Sequence, residues 1–378
     1  MAASILHSTV IPLSMFSELT THEALFLLSQ FSGLSPKNLR EYILLNTDYQ
    51  NTIASLISGE KIKYPSVYKI KSLDKTECLK ALEVFRKQET MGVRTISFLD
   101  KEYPFNPNKM SDAPVLIYRT GDAGTSDRRL PLLAIVGTRK MTAYGKSQID
   151  EFFRTACEPN FEVISGLAYG IDSYSQSVAS NSGFTVHSVL AHGLDDTYPK
   201  SHVSLRKGLE SKGFTFSEYP IQSSAHKGRF LARNRLIAGM ADVVWVVESA
   251  ERGGSLVTAN FAKGYHSHLV ASPGDIHKVT SQGCNRLIAN HSAVLYERPE
   301  TIAAHLGVHF PLKQSLSKKG PKDPKTLKIY ELLKFHQKLY PSQIIQLSGL
   351  EKDTVLELLL KMHLDDQVVH NPDNSYSI

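Results

Sequence analysis

Cysteine is scarce in this sequence, and the residue patterns that hold metals are missing. Three cysteines occur in 378 residues. Cys78, Cys157 and Cys284 lie far apart and form no CxxC pair, which argues against a disulfide framework and a thiolate zinc site and fits a reducing, cytoplasmic setting. Fifteen histidines are present, but none falls in HExxH, in HxH with a third ligand, or in a Cys/His set at zinc spacing. No metal or other cofactor is inferred. Nothing approaches the roughly 18 consecutive apolar residues of a membrane span, and the opening MAASILHSTVIPLSMF has no basic segment ahead of an unbroken apolar one. The chain is expected to be soluble and unprocessed. Also lacking are GxSxG, a full GxxxxGK[ST] and GxGxxG, so acyl hydrolysis, NTP hydrolysis and redox dinucleotide binding are all disfavoured.

Apolar residues make up 42% of the chain, enough for a substantial core, and the length calls for two or three domains. Lys plus Arg number 43 against 37 Asp plus Glu, a formal charge of +6 that leans mildly toward an acidic partner such as nucleic acid.

Texture changes along the chain. Residues 1–93 read as a small all-helical unit, with HEALFLLSQF and DKTECLKALEVFRKQ spaced at three and four residues. Within it, SGLSPKNLREYI predicts a glycine turn and a helix capped by Ser35 with Pro36 at its first position. Residues 94–311 hold short apolar runs ending in glycine: PVLIYR, LLAIVGT, FEVISGL, TVHSVLA, FTFSEY, DVVWVVE, HLVASPG and AVLYE. Alternation with helical stretches predicts an α/β fold, a Rossmann-like doubly wound sheet that collects ligands where its strands end. Residues 312–324, LKQSLSKKGPKDP, read as a linker. Residues 325–378 show three helical patterns and a hairpin, the winged helix-turn-helix plan. Its recognition helix would carry Glu351, Asp353 and Glu357 against Lys352 and Lys361, so docking to protein is preferred there over DNA.

Three turns after strands and one arginine-rich helix carry the chemistry. Gly137, Thr138 and Arg139 follow LLAIV, where a glycine, a helix amino end and a guanidinium fork suit a phosphate. A tight turn alone explains Gly137 equally well. Ser165, Gly166 and Gly170 form a second small-residue turn, in which Asp172 reads as a cap or a partner for arginine before it reads as a general base. GRFLARNRLIAG brings Phe230, Arg233, Asn234 and Arg235 onto one helix; Phe230 suits stacking on an unpaired base, although a core aromatic is an equal reading. Gly253, Gly254, Ser255 and Thr258 open a further helix, again an anion site. Asn285, Arg286, Tyr198, Lys200 and His202 lie near the same rim.

GTRKMTAYG, SGLAYGID, HGLDDTYP, RFLARNRLIAG, RGGSLVTANFA, ASPGD and SQGCNRLI, in that order, resemble the DNA processing protein A (DprA/Smf) family across roughly residues 133–290. The flanks resemble that family's SAM-like (helix-hairpin-helix) and winged-helix domains by position and pattern. The resemblance implies a dimeric, non-enzymatic, cytoplasmic protein of natural transformation. Such a protein protects incoming single-stranded DNA and helps load a RecA-type recombinase. By matching, Arg139, Lys200, Arg233, Arg235 and Arg286 are implied to contact DNA, over a groove shaped by Gly137, Thr138, Ser165, Gly166, Gly254 and Ser255. GTR replaces the family's frequent GSR, GGS its GSGS, and Gln176 a common histidine. Two rivals stay open. One is a nucleotide-binding or nucleotide-hydrolysing enzyme using the same pocket, disfavoured because RGGSLVTAN lacks the acid of PGGxGTxxE. The other is a duplex-DNA regulator working through the winged helix.

Overall fold

The computed structural model describes residue 16 and residues 18–60, 72–123, 130–310, 323–364, 367–371 and 373–377. The chain divides into two compact units, residues 1–310 and 311–378. Most of the expected linker, residues 312–322, lies outside the described residues, and its last two, Asp323 and Pro324, are the N-cap and first residue of a helix.

Unit 1 begins with α1 (Thr21–Phe31), α2 (Pro36–Leu45), α3 (Tyr49–Ile57) and α4 (Lys75–Thr90). Thr20 and Glu23 close a capping box on α1, and the Ser35 side chain accepts from the Asn38 amide at 3.3 Å ahead of Pro36, so both helix starts follow from local hydrogen bonding. The boundary expected at residue 93 is not a break in packing. Phe26, Leu39, Ile53 and Phe85 share one apolar core with Val115, Leu116, Tyr118 and Leu133 of the α/β part. The buried Arg40 of α2 donates to the carbonyls of Ser111 and Ala113, fastening the helices onto the sheet domain.

The remaining elements of unit 1 are β1 (Arg94–Ser97), β2 (Leu116–Gly121), β3 (Leu132–Val136), α5 (Ala143–Thr155), β4 (Glu162–Ser165), α6 (Ile171–Asn181), β5 (Val186–Leu190), α7 (Val203–Glu210), β6 (Phe214–Ser217), α8 (Lys227–Met240), β7 (Val243–Val246), α9 (Ser255–Gly264), β8 (His268–Ala271), α10 (Val279–Ala289), β9 (Val294–Leu295) and α11 (Pro299–Leu306). Among the described residues these strands form one sheet of nine in the order β1-β2-β6-β5-β4-β3-β7-β8-β9. From β6 to β9 every pairing is parallel. All eight expected strands are present. β1 and β2 add an antiparallel edge that a purely parallel reading does not contain.

Alternation along β3 shows why both faces are covered. Leu133 and Ile135 enter one core with Phe152, Phe161 and Trp245; Leu132, Ala134 and Val136 enter the other with Leu236, Ile237 and Ala259. Trp245 lies fully buried, stacks on Tyr296 at 4.6 Å and donates its indole N–H to the Ser272 hydroxyl at 3.0 Å. Each such side chain removed from water contributes about 1.5–3 kcal/mol. The succession runs outward from β3 to β4, β5 and β6, then returns so that β7 pairs with β3. That reversal is the topological switch point, and ligands of open α/β sheets bind beyond the strand ends there.

Unit 2 contains α12 (Pro324–His336), β10 (Lys338–Leu339), α13 (Pro341–Ser348), α14 (Lys352–Leu364), β11 (Val369–His370) and β12 (Tyr376–Ser377). Ile329, Leu333, Ile344, Val355, Leu359 and Met362 form its core. The three helices and the hairpin match the expected pattern, and β10 is an additional strand that pairs with β12.

Candidate nucleic-acid interface

At the switch point a cavity of about 580 Å³ opens between the turns after β3 and β7 and the amino ends of α8 and α9. Its walls are Gly137, Thr138 and Arg139 on one side, Gly253, Gly254, Ser255 and Thr258 on another, and Lys227, Phe230 and Asn234 on a third. Two helix amino termini therefore meet at one opening, and neither carries a side-chain cap. Their dipoles favour an anion. A larger cleft of about 980 Å³ lies at the opposite sheet edge, walled by His266, His268, His305 and Lys109. The carboxyl ends of α8 and α11 line it, which is the wrong dipole sign for a polyanion.

Arg139 is exposed and reaches over the Phe230 ring, 5.4 Å from its centroid. Phe230 in turn lies 5.5 Å from Tyr198, a ring with 47% of its surface open. Leu231, 43% exposed, completes an apolar lip on the same opening. Flat rings beside unpaired cations are what a single strand needs, because every base offers a face to stack and every linkage a charge. Phe230 is thus half-buried at the rim and not a core aromatic.

Two arginines depart from expectation, and both corrections have the same cause. Arg233 is 3% exposed; its Nη1 donates to the Gly166 carbonyl at 2.8 Å and to the Val189 carbonyl. Burial pulls its pKa down to about 10, opposed by Asp172, so it remains a cation in the cavity floor. Burial likewise raises the Asp172 carboxyl, opposed by Arg233 and by the amides of Gly166 and Ala168. Arg235 pairs with Glu218, donates to the Asp112 carbonyl at 2.6 Å and keeps Nε 3.8 Å from the Asp112 carboxylate. Neither guanidinium is presented to a strand. Arg233 satisfies two buried carbonyls and Arg235 pairs with the part-buried Glu218, groups that would be costly without a partner.

Other expected residues fall around the cavity. The Ser165 hydroxyl donates to the Ile135 carbonyl at 2.6 Å, bracing β4 on β3. Gly166 leaves room for Arg233, since a Cβ there would land inside the guanidinium. Gly170, at φ +78°, packs its α-carbon against the Thr138 carbonyl where no side chain fits. Gln176 accepts from the Leu167 amide and donates to the His187 carbonyl and the Ser188 hydroxyl, a structural tie in place of the family histidine. Lys200 is exposed and pairs with Asp196. Arg286 pairs with Glu251 at 2.8 Å on the open surface. His226, Lys227 and Leu231 were missed by sequence reasoning, although Lys227, Phe230, Leu231 and Asn234 share helical spacing and hence one face.

The acids nearby are engaged. Glu248, buried after β7, accepts from the Thr142 amide at 2.9 Å and the Thr142 hydroxyl at 2.5 Å; Asp172 accepts from the Gly166 amide at 3.2 Å.

Residues 94–307 match the family model described as DNA recombination-mediator protein A. The chain belongs to that family. DNA processing protein DprA of Bacillus subtilis is 30% identical over 217 residues, covering 57% of this chain and 72% of the relative. The Streptococcus pneumoniae protein of the same name is 32% identical over 209 residues, 55% of this chain and 73% of its own length. The X-ray structure of the S. pneumoniae protein superposes with a TM-score of 0.62 at 28% identity, over 75% of this chain and 98% of that one. A Helicobacter pylori DNA processing protein A structure, described as showing a unique single-stranded DNA binding mode, matches with a TM-score of 0.50 at 26% identity, over 57% of this chain and 97% of that one. The fold and the DNA-processing class of this family member rest on these matches. Among the described residues no helix is long and apolar enough to cross a membrane.

Proposed function

We infer that this family member binds single-stranded DNA along the carboxyl edge of its parallel sheet, without hydrolysing it, and acts in the cytoplasm as a mediator of recombination. The observation that carries the reading is the pairing of Arg139 with Phe230 at the mouth of a cavity flanked by two uncapped helix amino ends. Phosphates take the cationic and amide positions, and bases take the rings. The binding set comprises Arg139, Lys200, Lys227, Phe230 and Asn234 with the backbone of Gly137, Thr138, Gly253, Gly254 and Ser255; Arg286 lies farther along the same rim.

Occupied acids support a binding role over a hydrolytic one, because Asp172 and Glu248 are committed to internal hydrogen bonds. Protection of incoming strands during natural transformation, delivery to a RecA-type recombinase and a homodimeric state complete the proposal, on the family's stated mediator role. Anisotropy titration of labelled oligo-dT and of a duplex of equal length tests it. The single strand is expected to bind more tightly, with affinity falling steeply as salt rises; equal or tighter duplex binding would overturn it.

A further inference from the structure

Tyr169 sits in the turn between β4 and α6 with 49% of its surface exposed, and neither core packing nor the cavity accounts for it. Its orientation is nonetheless fixed. The hydroxyl lies 3.1 Å from the Ser201 hydroxyl, and the ring meets His202 edge-on at 4.9 Å. His202 in turn is tied through Nδ1 to the Leu167 carbonyl at 2.9 Å. The turn behind it is held tightly: Leu167 adopts φ +53°, its amide bonds Gln176 at 3.1 Å, and the Ile171 amide bonds the Thr138 carbonyl at 3.2 Å. A half-open ring kept in place by its edges is a platform whose ordering cost is already met in the free protein.

Its neighbours supply the charges. On one side Gly170 abuts Thr138 and Arg139; on the other, the short 3-10 turn Lys200–His202 brings the exposed Lys200. We propose that Tyr169 is a second base-stacking station, reading the nucleotide beyond the one held at Phe230 and Arg139, so that the strand runs across the rim from the cavity toward Lys200. This rests on the carboxyl edge being the single-strand interface.

The test is a thermodynamic cycle on the full chain. Wild type, Tyr169→Ala, Tyr169→Phe and Phe230→Ala are titrated with oligo-dT and with an abasic strand of equal length. Tyr169→Ala is expected to weaken oligo-dT binding at least about fivefold, the low end for one stacked base, while Tyr169→Phe retains affinity. On the abasic strand the loss from Tyr169→Ala should vanish, since no base is left to stack. An equal loss on both strands, or none on oligo-dT while Phe230→Ala weakens it, overturns the second station and leaves the first intact. Failure of wild type to bind oligo-dT at all would instead overturn the interface itself.

Discussion

Arg139 and Arg233 both line the cavity, yet their surroundings assign them opposite duties, and exchanging one for a neutral side chain separates these. Arg139 is exposed, touches Phe230, and is held by no ion pair among the described residues. Its replacement by Ala leaves no buried group unpaired, so stability should move by no more than about 0.5 kcal/mol. A strand would lose one charge-assisted contact, about 1.5–3 kcal/mol, or roughly 10- to 100-fold in affinity. The slope of log affinity against log salt should flatten by about 0.7, the value for one single-strand phosphate. Arg233 is a different case. Arg233→Met takes the guanidinium donor away from the buried Gly166 and Val189 carbonyls, a loss of about 1–3 kcal/mol for a buried acceptor left unsatisfied. Thermal melting and oligo-dT anisotropy on both variants decide the matter. A melting temperature lowered by Arg139→Ala at unchanged affinity, with the reverse for Arg233→Met, would refute the assignment.

Other consequences follow from burial and hydrogen bonding. Cys78 and Cys284 are buried, which pushes their thiols up to about 11 and about 12, whereas Cys157 is exposed; a disulfide reagent should therefore label one thiol in the native protein and three after denaturation. Gly166→Ala should lower the melting temperature by displacing the Arg233 guanidinium, and a variant that melts like wild type would contradict that packing. Asp100 resists the upward push of burial because His22 and Ser97 donate to it, which holds its carboxyl below 3.8. Since the folded value is depressed, its contribution is present at neutral pH and is lost as pH falls through the acidic range; the stability gap to Asp100→Asn in denaturant melts at successive pH values should shrink accordingly. Deletion of residues 311–378, the whole second unit, should leave oligo-dT affinity largely intact.

Much of this architecture is legible in residue order alone. Runs such as LLAIV and DVVWV announce buried parallel strands because both faces of a doubly wound sheet are covered, and the glycines that follow them mark where a ligand approaches. Orientation within a helix is harder to read. Residues 229 to 235 place three arginines in seven positions, and only the packing of α8 shows that Arg233 turns to the Gly166 turn and Arg235 to Glu218. Long cationic side chains look alike in sequence whether they meet solvent, a buried carbonyl or a part-buried carboxylate. The boundary at residue 93 misleads for a similar reason: a change from helical to strand texture marks local periodicity, but Arg40 and the shared core show that the two textures pack as one. Lys227 belongs to no motif in residue order, and only the start of α8 at that residue sets it on the cavity wall.

The central claim is positional, so photocrosslinking of an iodouracil-substituted single strand, followed by peptide mapping, addresses it most directly. Adducts are expected at the half-buried Phe230 and the exposed Tyr198, the paired rings at the cavity mouth. Adducts confined to the cleft beside His266 and His305 at the amino edge, or to unit 2, would contradict the account.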